Sequence, residues 1–244
     1  MPQPTAAALV IGDEILSGRT RDSNAHHLAG RLAGHGIRLV EIRVVPDDVD
    51  IIAAAVRTLS GRVDHLFTSG GIGPTHDDVT ADAVARAFGQ PLDVRPDARA
   101  ILERHYGAEL NAARLRMARV PEGAALIENP VSAAPGFSLG NVHVMAGVPQ
   151  IFEAMLAGLL PRLAGGPPLL SRSLRADAPE GEIAEALSGI AGRWPQVSIG
   201  CYPSFRSSGP SVAVILRAED AEALDRAAEA AEAALARWTG AARS

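Results

Sequence analysis

Three acidic pairs and a glycine-rich turn carry the residue types that can do chemistry in this sequence. The stretch TSGGIGPTHDDVT (68–80) puts Gly70, Gly71 and Gly73 straight after a strand-like run, and Asp77 and Asp78 where a helix begins. A glycine turn feeding a helix N-terminus is an anion site, because free backbone N–H groups and the helix dipole both favour negative charge there. Two carboxylates in that place conflict with a bare anion. Asp13, Glu14 and Asp22 in GDEILSGRTRDSN (12–24), and Asp47 and Asp48 in PDD (46–48), add further acids after other strands. Like charges gathered so closely repel unless protons or a cation intervene. A hard divalent cation such as Mg²⁺ resolves the conflict by bridging the carboxylates to a phosphate held on the glycine-turn N–H groups. On this reading Asp13, Asp47 and Asp78 position metal and water, with Glu14 as a further metal ligand.

Each acid also has a plainer role. Asp77 or Asp78 can cap a helix, Asp13 and Glu14 can be solvated turn residues, and Asp47 with Asp48 can form a turn and helix start. Thr75 and Thr80 can bond a phosphate or act as caps. His76 reads as a solvated loop histidine, and His26 and His27, adjacent on a helix, cannot face one metal. GGIGPTHD lacks the third glycine of a dinucleotide fingerprint.

These loops need a scaffold that brings them together. Strand-like runs at 5–11, 37–45, 63–69, 124–129 and 142–147 alternate with helical patterns, which predicts a three-layer α/β/α domain with a mostly parallel sheet. Leu28 and Leu32 lie one turn apart in DSNAHHLAGRLAGHG, with Ser23 or Asn24 as cap. Further helices are predicted over DVDIIAAAVRTLSG and DDVTADAVARAFG, two more across 96–119, and a last one in PQIFEAMLAGLLPRL. In open parallel sheets ligands bind beyond the carboxyl ends of the strands, where the loops at 12–24, 46–48, 70–80 and 145–150 would line one crevice. AGGPP (164–168) reads as a linker between a domain at 1–163 and a smaller α+β domain at 169–244. The latter has a predicted βαββα order: strand 169–175, helix 179–191, strands 197–202 and 211–217, helix 219–238.

Composition removes other classes. The 244 residues are 47% hydrophobic, enough for a buried core, and 23 basic against 28 acidic side chains leave a net charge of −5. Neither nucleic acid nor an anionic membrane is the expected partner. Every basic side chain is arginine, which excludes a phosphate-loop or Schiff-base lysine. The single cysteine, Cys201, excludes an internal disulfide, and no Cys/His spacing suggests zinc. The first sixteen residues read as a strand and not a signal peptide, and no apolar run reaches the roughly 20 residues of a membrane helix. The expectation is a cytoplasmic protein.

IGDEILSGRTRDSN, followed by TSGGIGPTHDDVTADAVA, resembles the molybdopterin-binding domain of MoaB/Mog-like proteins and of the N-terminal part of CinA-type competence/damage-inducible proteins. NAARLRMARVP (111–121), NPVSAAPGF (129–137) and MAGVPQIFEAML (145–156) resemble the CinA-type branch, and WPQVSIGCYPSF (194–205) is similar to the small domain of CinA-like and FAD-synthase-associated proteins. The resemblance implies a small-molecule ligand, a nucleotide or pterin phosphate, molybdopterin among them. CinA-type relatives hydrolyse ADP-ribose-like pyrophosphates with a divalent metal (Mg, Co or Ni). Mog-like relatives adenylylate molybdopterin, and the family often forms homo-oligomers. Matched positions are Asp13, Glu14, Asp22, Asn24, Asp47, Gly70, Gly71, Gly73, Thr75, Asp78, Thr80, Gly147 and Pro149. Ala146 stands where the family usually has proline, and SAAPGF replaces GTAPGF. The amidohydrolase domain that ends full-length CinA has no counterpart before Ser244, so nicotinamide-nucleotide deamidation is not expected.

Overall fold

The computed structural model describes residues 3–206 and 209–238. Backbone contacts divide the chain into two compact units, Met1–Gly166 and Pro167–Ser244.

The first unit is built on β1 (Thr5–Ile11), whose seven residues are apolar but for Thr5 because both faces of the strand are covered. Ala6, Ala8 and Val10 point into one core, and Ala7, Leu9 and Ile11 into the other. The first core is closed by α2 (Asn24–Gly34), which follows the single-turn α1 (Asp13–Leu16). The other is closed by α3 (Val49–Ser60), which follows β2 (Arg38–Val45), and by α4 (Thr80–Phe88), which follows β3 (His65–Ser69). Both helices put one apolar face inward, Ile52, Ala53, Val56 and Leu59 on α3, Ala83 and Val84 on α4. Gly89 ends α4 in the left-handed region at φ 64.

The segment after α4 contains the expected pair of helices, the second of them short, with strands around them that the pattern does not predict. A short strand β4 (Leu92–Val94) leads into α5 (Pro96–Tyr106), and then the chain breaks into turns around α6 (Ala112–Leu115), capped by Asn111. It continues as β5 (Arg119–Pro121), which pairs with β4, then β6 (Ala125–Ile127), β7 (Gly136–Leu139) and β8 (Val142–Met145), followed by α7 (Pro149–Leu159). Strands of three or four residues are too short for an alternation of apolar residues to register, and the sequence pattern predicts no strand at β4, β5 or β7.

The main sheet has the order β2-β1-β3-β8-β7-β6. β2, β1, β3 and β8 run parallel, and β7 pairs antiparallel with both β8 and β6. It is therefore mostly parallel with one reversed strand, between helical layers: α2 and α7 on one face, α3, α4 and α5 on the other.

The second unit follows the expected βαββα order: β9 (Leu170–Ala176), α8 (Glu180–Arg193), β10 (Ser198–Arg206), β11 (Gly209–Ala218) and α9 (Ala221–Leu235). Its antiparallel sheet has the order β10-β11-β9. Val212, Val214 and Leu216 alternate inward from β11 and meet Ile183, Leu187, Leu224 and Ala227 of the two helices. Asp220 caps α9 by accepting from the N–H groups of Glu222 and Ala223. Among the described residues, no helix is long and apolar enough to cross a membrane.

Candidate functional site

The carboxyl ends of β1, β3 and β8 open onto a cavity of about 530 Å³ inside the first unit, within the range of small-molecule sites. Its wall is the glycine turn after β3. Gly70 and Gly71 have φ 110 and 68, and a Cβ on either would stand 2.2 Å from the Ile11 carbonyl oxygen or the Thr80 hydroxyl, so only glycine fits at both. The Gly70 N–H donates to Met145 O at 3.2 Å, which ties the turn to β8. It is therefore spent, and the expectation that Gly70 offers an N–H to a phosphate is corrected. Among the described residues, the N–H groups of Gly71, Ile72 and Gly73 have no acceptor, and all three residues line the cavity.

Thr80 and Thr75 brace this turn. Thr80 is fully buried; its hydroxyl donates to Gly70 O at 2.9 Å and its N–H to Gly71 O at 3.0 Å. Thr75 turns inward to Asp78, whose Oδ2 accepts from the Thr75 N–H at 2.8 Å and from its hydroxyl at 2.5 Å. Neither threonine is part of the cavity wall, and both hydroxyls are hydrogen-bonded within the turn. Asp78 does line it, together with Asp77, but neither side chain caps α4, whose N-cap is Val79.

Asn24 is likewise a positioning residue. It is the first residue of α2 and buried, and its Nδ2 donates to Ser69 Oγ and to Gly147 O, both at 2.7 Å. That pair of bonds fastens the end of β3 to the loop after β8. Asp22, not Ser23 or Asn24, accepts from the α2 amides, at Ala25 N–H. Gly147 and Pro149 line the cavity as expected of the loop before α7.

The acids separate into two groups. Glu14, Asp47 and Asp77 line the cavity with Asp78, whereas Asp13 does not; it contributes its backbone N–H, donated to Asp47 Oδ2 at 2.9 Å. Burial pushes the Asp47 carboxyl above its usual range, against that hydrogen bond, and the charges of Glu14, Asp13 and Asp77 raise it further. Asp48 instead caps α3, accepting from the N–H groups of Asp50 and Ile51. Among the described residues, no three His, Cys, Asp or Glu side chains converge on a point that could hold a metal ion. The four-carboxylate centre expected from Asp13, Glu14, Asp47 and Asp78 is thus not assembled: Asp13 is not part of the cavity wall, and one Asp78 oxygen is taken up by Thr75. Glu14, Asp47, Asp77 and Asp78 share the cavity as hard oxygen donors but do not converge on one point.

Other wall residues come from segments in which chemistry was not sought: Met117, Asn129 and Ser132. Asn129 knots its loop, donating to Ser132 Oγ and Ala134 O and accepting from the Val131 and Ser132 N–H groups. The signal was present in the quoted motif NPVSAAPGF, whose asparagine and proline mark a turn. His76 is exposed, as expected of a solvated loop histidine.

A mixed α/β sheet with a cavity at its strand ends is the arrangement in which α/β proteins hold small molecules. Residues 7–165 match the family described as probable molybdopterin binding domain, and residues 168–240 match the FAD synthase middle domain. A CinA-like protein of Citrifermentans bemidjiense is 39% identical over 91% of this chain and 56% of its own length, so the chain spans about half of that relative. A protein of Archaeoglobus fulgidus is 37% identical over 79% of this chain and 83% of its own. The crystal structure of the protein CinA from Thermoplasma acidophilum covers 65% of this chain and 97% of its own at 38% identity, with a TM-score of 0.62. The chain belongs to the molybdopterin-binding (MoaB/Mog-like) domain family, in its CinA-type branch.

Proposed function

We propose that the cavity binds a nucleotide or pterin phosphate, and that the protein is a metal-dependent pyrophosphatase acting on a dinucleotide of the ADP-ribose or FAD type. The observation that carries this is the wall of unbonded N–H groups at Gly71, Ile72 and Gly73 in one cavity with Glu14, Asp47 and Asp77. Successive N–H groups without acceptors suit phosphate oxygens. A divalent cation, Mg, Co or Ni, entering with the phosphates rather than held in a preformed carboxylate cage, would supply stabilisation of the charge that builds on the bridging oxygens. Asp47, the acid whose proton affinity burial raises, suits the role of orienting and deprotonating a water. Apolar wall residues Ile72, Met117 and Ile151 offer a surface for a flat ring. The match of residues 168–240 to an FAD synthase domain supports a flavin or adenine dinucleotide as substrate.

A second reading, adenylylation of molybdopterin, is favoured by the description of the family matched by residues 7–165. A third is a module that binds a nucleotide without turning it over. Incubation with ADP-ribose or FAD and each of the three ions, followed by chromatography, is expected to yield AMP. No AMP under any ion, with adenylylated product from ATP and molybdopterin, would replace hydrolysis by transfer; binding without either product would leave the binding module.

A further inference from the structure

We propose that Arg116 is the cationic anchor for the ligand's phosphate at the glycine turn, a binding role that rests on reading the cavity as a nucleotide-phosphate site. Beside the large cavity lies a crevice of about 20 Å³ lined in part by Arg116 and Arg119, and the two share Gly71, Ile72, Gly73, Asp78 and Met117 as a common wall. Arg119 is committed: its guanidinium makes two bonds to the Asp82 carboxylate, at 3.0 and 2.7 Å. Arg116 is not. Among the described residues its side chain has no hydrogen-bond or ion-pair partner, and its Nε–H is shut away from water without an acceptor. A buried donor without a partner is uncommon in folded proteins, and a ligand, ion or water is what commonly completes it.

Charge makes the same point. The large cavity is lined by four carboxylates and by no arginine, so an entering phosphate meets negative potential on one side. Arg116 is the uncommitted cation beside the N–H groups that would hold that phosphate. It is not simply the counter-ion of Asp78: the two form no ion pair, and Asp78 Oδ2 is already occupied by both polar groups of Thr75. The crevice itself has room for one water and not for a phosphate. Contact would therefore fall at the wall of Gly71, Ile72, Gly73, Asp78 and Met117 that the crevice shares with the large cavity, where a planar guanidinium can meet two phosphate oxygens at once.

Calorimetric titration of the full chain with inorganic pyrophosphate in excess Mg²⁺ tests this. R116Q is expected to weaken binding by about 10- to 100-fold and R116K by less, since lysine keeps the charge but loses the fork. The salt dependence of the affinity should become shallower in R116Q, which a merely structural role would not cause. Equal affinity and equal salt dependence for wild type and R116Q would overturn the role and leave the nucleotide reading intact. Failure of the wild type to bind pyrophosphate or ADP-ribose would bring down that reading, and this one with it. Should R116Q not melt cooperatively, R116K decides, because affinity equal to wild type would count against the anchor.

Discussion

Thr80 spends both of its polar groups on the carbonyls of Gly70 and Gly71, and Asp78 spends one oxygen on Thr75, so side chains of ligand type serve here to hold a turn in shape. The same economy of polar atoms shapes a second cluster on the sheet. His143 shares a hydrogen bond of 2.9 Å between its Nδ1 and Ser138 Oγ, and its Nε2 lies 3.2 Å from His65 Nδ1, with the Phe67 ring beside it. Burial, and then the neighbouring His65, pushes the His143 imidazole down to about 4. Burial lowers His65 as well, against the charge of Asp64. A folded-state value below the usual 6.5 means that the unfolded chain takes up the proton first. The contribution to stability is complete above about pH 6.5 and is lost as pH falls toward 4. Urea unfolding of wild type and H143Q should show their stability difference shrinking by about 3 kcal/mol between pH 7.5 and 4. A difference independent of pH would contradict this.

At the level of elements, the start of α3 gives two adjacent carboxylates different tasks. Asp48 closes the helix, accepting from two N–H groups, while Asp47 turns to the Asp13 N–H and lines the cavity. Removing the cap in Asp48→Ala should lower stability by about 1 kcal/mol and leave pyrophosphate affinity unchanged. Asp47→Asn keeps an oxygen for the Asp13 N–H and should cost little stability. It should weaken binding of pyrophosphate with Mg²⁺ by about 10-fold. A urea midpoint and a titration for each variant check the pair, and the opposite pattern would reverse the assignments. The sequence PDD contains both acids but does not say which is which, since that depends on the residue at which the helix begins.

For the whole molecule, the cavity and its braces lie within the first unit, between β1 and α7. A chain of residues 1–166 should therefore unfold cooperatively and bind pyrophosphate within about twofold of the full chain, read by thermal melting and calorimetry. Loss of binding in a folded fragment would mean that residues 167–244 contribute to the site. Much of this organisation was legible beforehand. The run TAAALVI announces a strand covered on both faces, the spacing of Leu28 and Leu32 a helix, the positions of Gly70 and Gly71 a turn at a strand end, and the βαββα order a separate small unit. These are properties of neighbours in the chain, and local sterics and the period of apolar residues determine them. Which groups remain free to meet a ligand was not legible. That Gly70 N–H goes to Met145, Asn24 to Ser69 and Gly147, and Asp78 to Thr75, while the guanidinium of Arg116 has no partner among the described residues, follows from contacts that form only once distant segments pack. Sequence settles what each polar group can do; tertiary structure decides which of them have already been used, because every bond made inside the fold removes a donor or acceptor from the site.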